Sequence, residues 1–151
     1  MSAAFAFLHH LAAFALVSAL VVEFVLIRSE LTVRNARALL SIDAVYGAAA
    51  GTILVVGLLR VFFFEKGAAY YFHSAPFITK LALFAIVGLL SIYPTRQFLS
   101  WRSALRQGVA PSLEAAKVRK LRTVIHWELA ALVIIVLCAA LMARGIGHFG
   151  A

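Results

Sequence analysis

Acidic residues are scarce: the chain holds six Asp and Glu among 151 residues, against fourteen Lys and Arg. Charge of either sign is thin too, at 13%, where a soluble domain carries about 25%. A water-facing globule needs more polar surface than this. Cysteine is nearly absent. Cys138 is the single one, so neither an intrachain disulfide nor a cysteine-built metal site is possible. Inside an apolar run, it reads as an inert small residue.

What is there instead is apolar length. Hydrophobic residues make up 64% of the chain, and the mean hydropathy is +1.00. Length and composition fit one domain with lipid as its solvent. Four runs are long enough to span a bilayer, which takes about 20 residues: roughly 3–27, 44–64, 77–99 and 121–143. The first lacks the positive head of a signal peptide, and its apolar stretch is too long for one, so it reads as a retained span. Short connectors between four spans predict an all-α, integral membrane, antiparallel four-helix bundle, a single domain over 1–151.

The net charge of +8 would suggest nucleic acid in a soluble protein. Here the basic residues cluster between apolar runs, which is a topology signal, and nucleic acid is excluded in favour of membrane lipids. The first connector holds Arg28, Arg34 and Arg37. The third holds Arg96, Arg102, Arg106, Lys117, Arg119, Lys120 and Arg122. The other side has Lys66 and Arg144. This bias places the connectors inside and both termini outside, the periplasm if the source is bacterial.

Local signals refine the spans. Residues 28–42 read as a polar connector, with Asp43 placed to cap the second span. Gly47 and Gly51 form a GxxxG, read as helix packing. Pro94 bends or ends the third span. Ser112 is placed to cap a helix leading into the fourth.

Depth sorts the polar residues into two groups. Near the outer face stand His9, His10, Arg60, Tyr70, Tyr71, His73 and Lys80. A lysine in an apolar helix costs about 2.5–3.5 kcal/mol at mid-bilayer and less near an end. Lys80 therefore either reaches for the interface or has a partner. Neutral imidazole ligates haem iron, Arg and Lys pair with carboxylates, and aromatic rings cover a flat ligand. The same set suits any anionic amphiphile, and snorkelling alone accounts for it as well. His9 and His10 project about 100° apart. His9 shares a face with Leu16, Leu20 and Glu23, which favours His9 as the inward one, with His10 at the edge of that face.

Near the inner face stand Glu23, Asp43, Arg96, His126 and Glu128. They read as an ion-pair network with Arg96 or Arg122, or as a proton relay. His126 lies on the order of 20 Å from His9 in depth, so one haem cannot use both. A bis-histidine, two-haem carrier is disfavoured.

The run Ser41-Ile42-Asp43, Tyr46-Gly47, Arg60, Lys66-Gly67, Tyr70-Tyr71, Pro76-Phe77, Lys80-Leu81, Gly88-Leu89-Leu90-Ser91, Pro94-Thr95 and Trp101-Arg102, with His9-His10 at the head, resembles a family of small bacterial inner-membrane proteins catalogued as a domain of unknown function. The early histidine and Lys80-Leu81 are more distantly similar to HemJ-type protoporphyrinogen oxidases and CopD-like membrane proteins. That similarity implies a haem b pocket and a haem-dependent oxidoreductase. Where that family has an arginine-rich segment ending in histidine, this chain has Glu23, Arg28 and Glu30, and Ser91, Ile92 and Tyr93 stand where it has a second histidine.

Three readings follow. The first is a membrane protein binding haem b, or a related tetrapyrrole, for redox chemistry. The second is a proton- or cation-coupled transporter or channel component. The third is a non-catalytic subunit of a membrane complex, with a partner protein or a second copy of itself.

Overall fold

A computed structural model describes residues 2–64 and 71–147. It is an all-α membrane bundle. The helices are α1 (Ser2–Leu26), α2 (Val33–Leu59), a π-helical turn (Arg60–Phe64), α3 (Ala75–Ser100), a short α4 (Arg102–Arg106) and α5 (Ala115–Ala143). Four stretches, Ala3–Leu26, Val33–Phe63, Ala75–Arg106 and Ala115–Ala143, are long and apolar enough to cross a bilayer. Large apolar side chains cover the outside, among them Phe7 (70% exposed), Phe14 (73%) and Val133 (70%). Only lipid makes such an exterior favourable.

The helices pack chiefly as two pairs, α1 with α2 and α3 with α5. Lesser contacts of α1 with α5 and of α2 with α3 close the ring. The tightest core lies towards the arginine-rich end, where Leu20, Ala36, Leu39, Phe98, Leu121 and Ile125 are fully buried.

Helix α2 begins earlier than the sequence reading placed it. Arg34, Asn35 and Arg37 look like connector residues, but Ala36, Leu39 and Leu40 recur at helical spacing, and the first two are fully buried. Thr32 is the N-cap: its Oγ1 accepts from the Asn35 backbone N–H at 3.2 Å. Asp43 is therefore no cap. It lies inside the helix and is buried. At 27 residues, α2 is about 40 Å long, long enough to cross the bilayer and extend beyond it at the arginine-rich end.

Other local expectations shift in the same way. Helix α3 runs through Pro94 and ends at Ser100. Glu114, without a side-chain bond, is the N-cap of α5, and Ser112 lies in the extended segment before it. Gly47 and Gly51 are exposed, and a Cβ at either would meet nothing within 4 Å. That GxxxG faces lipid and does not serve packing within the bundle.

Several arginines act as tethers. Arg122 Nε donates to the Ile27 carbonyl at 3.2 Å, filling an acceptor left open at the end of α1. Arg37 donates to the Leu105 carbonyl at 2.8 Å, joining α2 to α4. At the opposite end the tail folds back, and the Ala75 N–H donates to the Gly147 carbonyl at 3.0 Å. Gly147 has φ +81°, and a Cβ there would lie 2.8 Å from Pro76 Cδ. Only glycine makes this closure without strain.

Candidate functional site

Between the two helix pairs, towards the histidine end, lies a cavity of about 520 Å³. That is within the range of small-molecule sites, about 300–1,000 Å³. Its walls are mostly apolar, including Leu16, Ile53 and Leu132, and its polar residues are His9, His10, Arg60, Tyr71 and Lys80. Five residues expected at the outer face therefore line one hollow. Tyr70 lies outside the described residues, and His73 is exposed and does not line the cavity.

Local structure explains how each group arrives there. His9 sits on the buried stripe of α1, one turn before Ala12 and two before Leu16. Gly57 of α2 makes room for its ring: a Cβ there would lie 3.3 Å from His9 Cε1. His9 Nδ1 is buried against α2 and has no hydrogen-bond partner. His10 is more exposed. Its Nδ1 lies 2.6 Å from the Ala6 carbonyl, a contact that puts the hydrogen on Nδ1 and leaves a lone pair on Nε2. The two imidazoles meet edge to face, with centroids 6.1 Å apart.

Arg60 opens the π-helical turn, and such turns recur at functional sites. Lys80 lies one turn into α3, its Nζ 5.6 Å from the centre of the Phe77 ring. Phe77 in turn packs against Tyr71 at 5.3 Å and Phe72 at 5.6 Å. Lys80, Arg60 and His10 all lie within electrostatic reach of His9. The cavity is thus an apolar slot with a cationic edge and two imidazoles.

The inner group divides. Glu23 on α1, Asp43 on α2 and Glu128 on α5 are buried and near one another. Arg96 and His126 do not join them. Arg96 is exposed beside Tyr93 and Gln97. His126 is exposed, with its ring 6.2 Å from Phe24 and 6.0 Å from Trp127. The reason is helical phase: His126 precedes Glu128 by two positions, so the two leave α5 on nearly opposite sides. Arg122 turns to backbone carbonyls instead. Among the described residues no group of His, Cys, Asp and Glu has the arrangement of a metal cage.

Sequence reasoning missed three residues here. Thr95 donates to Asp43 Oδ1 at 2.7 Å. Tyr46 is buried, within electrostatic reach of the carboxyls, and Ser91 Oγ donates to the Gly88 carbonyl at 2.8 Å. Tyr46, three residues from Asp43, shares its face of α2, and that spacing was the available signal.

A family model described as "Predicted membrane protein (DUF2214)" matches residues 1–147. The chain belongs to that family. DUF2214 covers both clusters and all four spans, which agrees with a multi-pass membrane protein. No curated protein and no solved structure matches the chain. The likeness of this DUF2214 protein to HemJ-type oxidases and CopD-like proteins therefore gains no support from these matches.

Proposed function

We propose that the cavity at the histidine end binds haem b and that the protein serves membrane redox chemistry. The observation that carries this reading is the convergence of His9, His10, Arg60 and Lys80 on one apolar hollow. A flat apolar ligand with carboxylates uses all three kinds of group together. His10 is the better prepared iron ligand, because its Nδ1 is already engaged by the Ala6 carbonyl. A backbone acceptor on the far nitrogen is the usual way a protein orients a ligating histidine. His9 Nδ1 is covered by protein, so His9 packs beside the ligand or offers it Nε2.

Arg60 and Lys80 supply the positive edge for propionate groups, with Arg able to bind a carboxylate through two N–H groups. Apolar walls keep water from the ring. Bound haem b would supply one-electron chemistry at its iron, tuned by ligand and burial. Adjacent imidazoles on one helix cannot take opposite faces of a ring, which supports a site with one protein ligand. We further infer that the arginine-rich end faces the cytosol of a bacterial cell and both termini face the periplasm, from the Lys and Arg bias.

The test is a haem titration of the purified apoprotein in lipid vesicles, followed by absorbance. The expected result is a saturable Soret shift at one haem per chain. It changes in character in His10→Ala, and it keeps its shape but weakens in Lys80→Met. Linear, unsaturable uptake identical in all three proteins would overturn the reading, and would leave the cavity to lipid.

A further inference from the structure

Glu23, Asp43 and Glu128 play no part in the proposed haem site. Three helices contribute one carboxyl each, and the side chains are 2%, 6% and 1% exposed. Asp43 has a donor, the Thr95 hydroxyl at 2.7 Å. Glu23 Oε1 and Glu128 Oε1 are buried and receive no donor at all.

Each helix packed around the three carboxyls brings polar groups to them. From α1 comes Glu23. From α2 come Asp43 and the buried Tyr46. From α3 come Ser91 and Thr95, both engaged in hydrogen bonds. From α5 comes Glu128. The basic groups expected there, Arg96, Arg122 and His126, are exposed and turned elsewhere. Among the described residues the cluster thus holds three acids and hydroxyls, with no cation facing it.

Buried carboxylates without a counter-ion are costly, and three together repel. Two acceptor oxygens lack a donor, and the carboxyls do not form a metal cage. A proton on a carboxyl both removes its buried charge and turns an acceptor oxygen that lacks a donor into a hydroxyl. We propose that Glu23, Asp43 and Glu128 form a proton-binding site, in which a proton taken from solvent is held on Glu23 or Glu128. The only bond made or broken is carboxyl O–H: uptake turns one carboxylate into a carboxylic acid, and release restores it. Thr95 holds Asp43 in place as a positioning residue.

This proposal is independent of haem, so its test uses the haem-free protein. The 151-residue protein in lipid vesicles, carrying ¹³C-labelled glutamate, is examined by infrared spectroscopy in neutral H2O and D2O buffers. The expected result is a carboxylic acid carbonyl stretch that shifts with the glutamate label and again in D2O. It loses intensity in Glu23→Gln or Glu128→Gln and is unchanged in Glu30→Gln, a substitution at an exposed site. The unsubstituted, labelled protein answers the question even if a variant fails to fold. Carboxylate stretches alone, or an acid band indifferent to the glutamate label, would overturn the proposal.

Discussion

The two ends of the bundle are built on different principles. At the arginine-rich end the helices meet closely. Phe98, Leu39, Leu121 and Ile125 fill the space between them, and Arg122 and Arg37 donate to the Ile27 and Leu105 carbonyls. At the histidine end the helix pairs stand apart around a cavity of about 520 Å³. There Gly57 removes a side chain where a larger one would touch His9. One end spends its residues on packing and the other leaves room. The polar groups follow that division: carboxyls are enclosed where packing is dense, and imidazoles and cations border the hollow.

This contrast is open to attack by substitution. The largest effect is expected from Phe98→Ala, which empties a fully buried ring site at the dense end. It should lower unfolding free energy by about 3–5 kcal/mol, measured by denaturant titration in mixed micelles. Thr95→Val comes next. It removes the hydroxyl that donates to Asp43 and should cost about 1–3 kcal/mol. At the open end the readout changes from stability to binding. Gly57→Leu should fill the cavity beside His9 and weaken haem uptake at least about tenfold, or about 1.4 kcal/mol, with the unfolding midpoint nearly unchanged. The smallest effect is expected from Phe14→Ala. That ring is 73% exposed at the margin of the cavity, and its loss should change stability by no more than about 0.5 kcal/mol. Equal destabilisation by Phe98→Ala and Phe14→Ala would erase the distinction between a packed end and an open one.

Much of this division is legible in the residues. Spans show because twenty apolar residues in a row have no other stable use. The inward stripe of α1 shows because Leu16, Leu20 and Glu23 repeat at helical spacing, and it brings His9 with them. What stays hidden depends on the neighbouring helix. Residues 33–42 look like a connector, since Arg34 and Arg37 outweigh the buried Ala36 and Leu39 in any local average. Gly47 and Gly51 suggest a packing face, yet they meet lipid, because only the phase of α2 against α1 and α3 decides which stripe is covered. The same phase turns His126 and Arg96 outwards, away from the three carboxyls it gathers. No single helix carries that information.

Native mass spectrometry tests the account's central claim most directly. The 151-residue chain, expressed in haem-replete cells and released from their membranes in mild detergent, should appear at its mass of 16.4 kDa plus one haem b, and His10→Ala with Lys80→Met should remove that addition. A spectrum showing the bare chain alone, or the chain carrying phospholipid and nothing else, would contradict it.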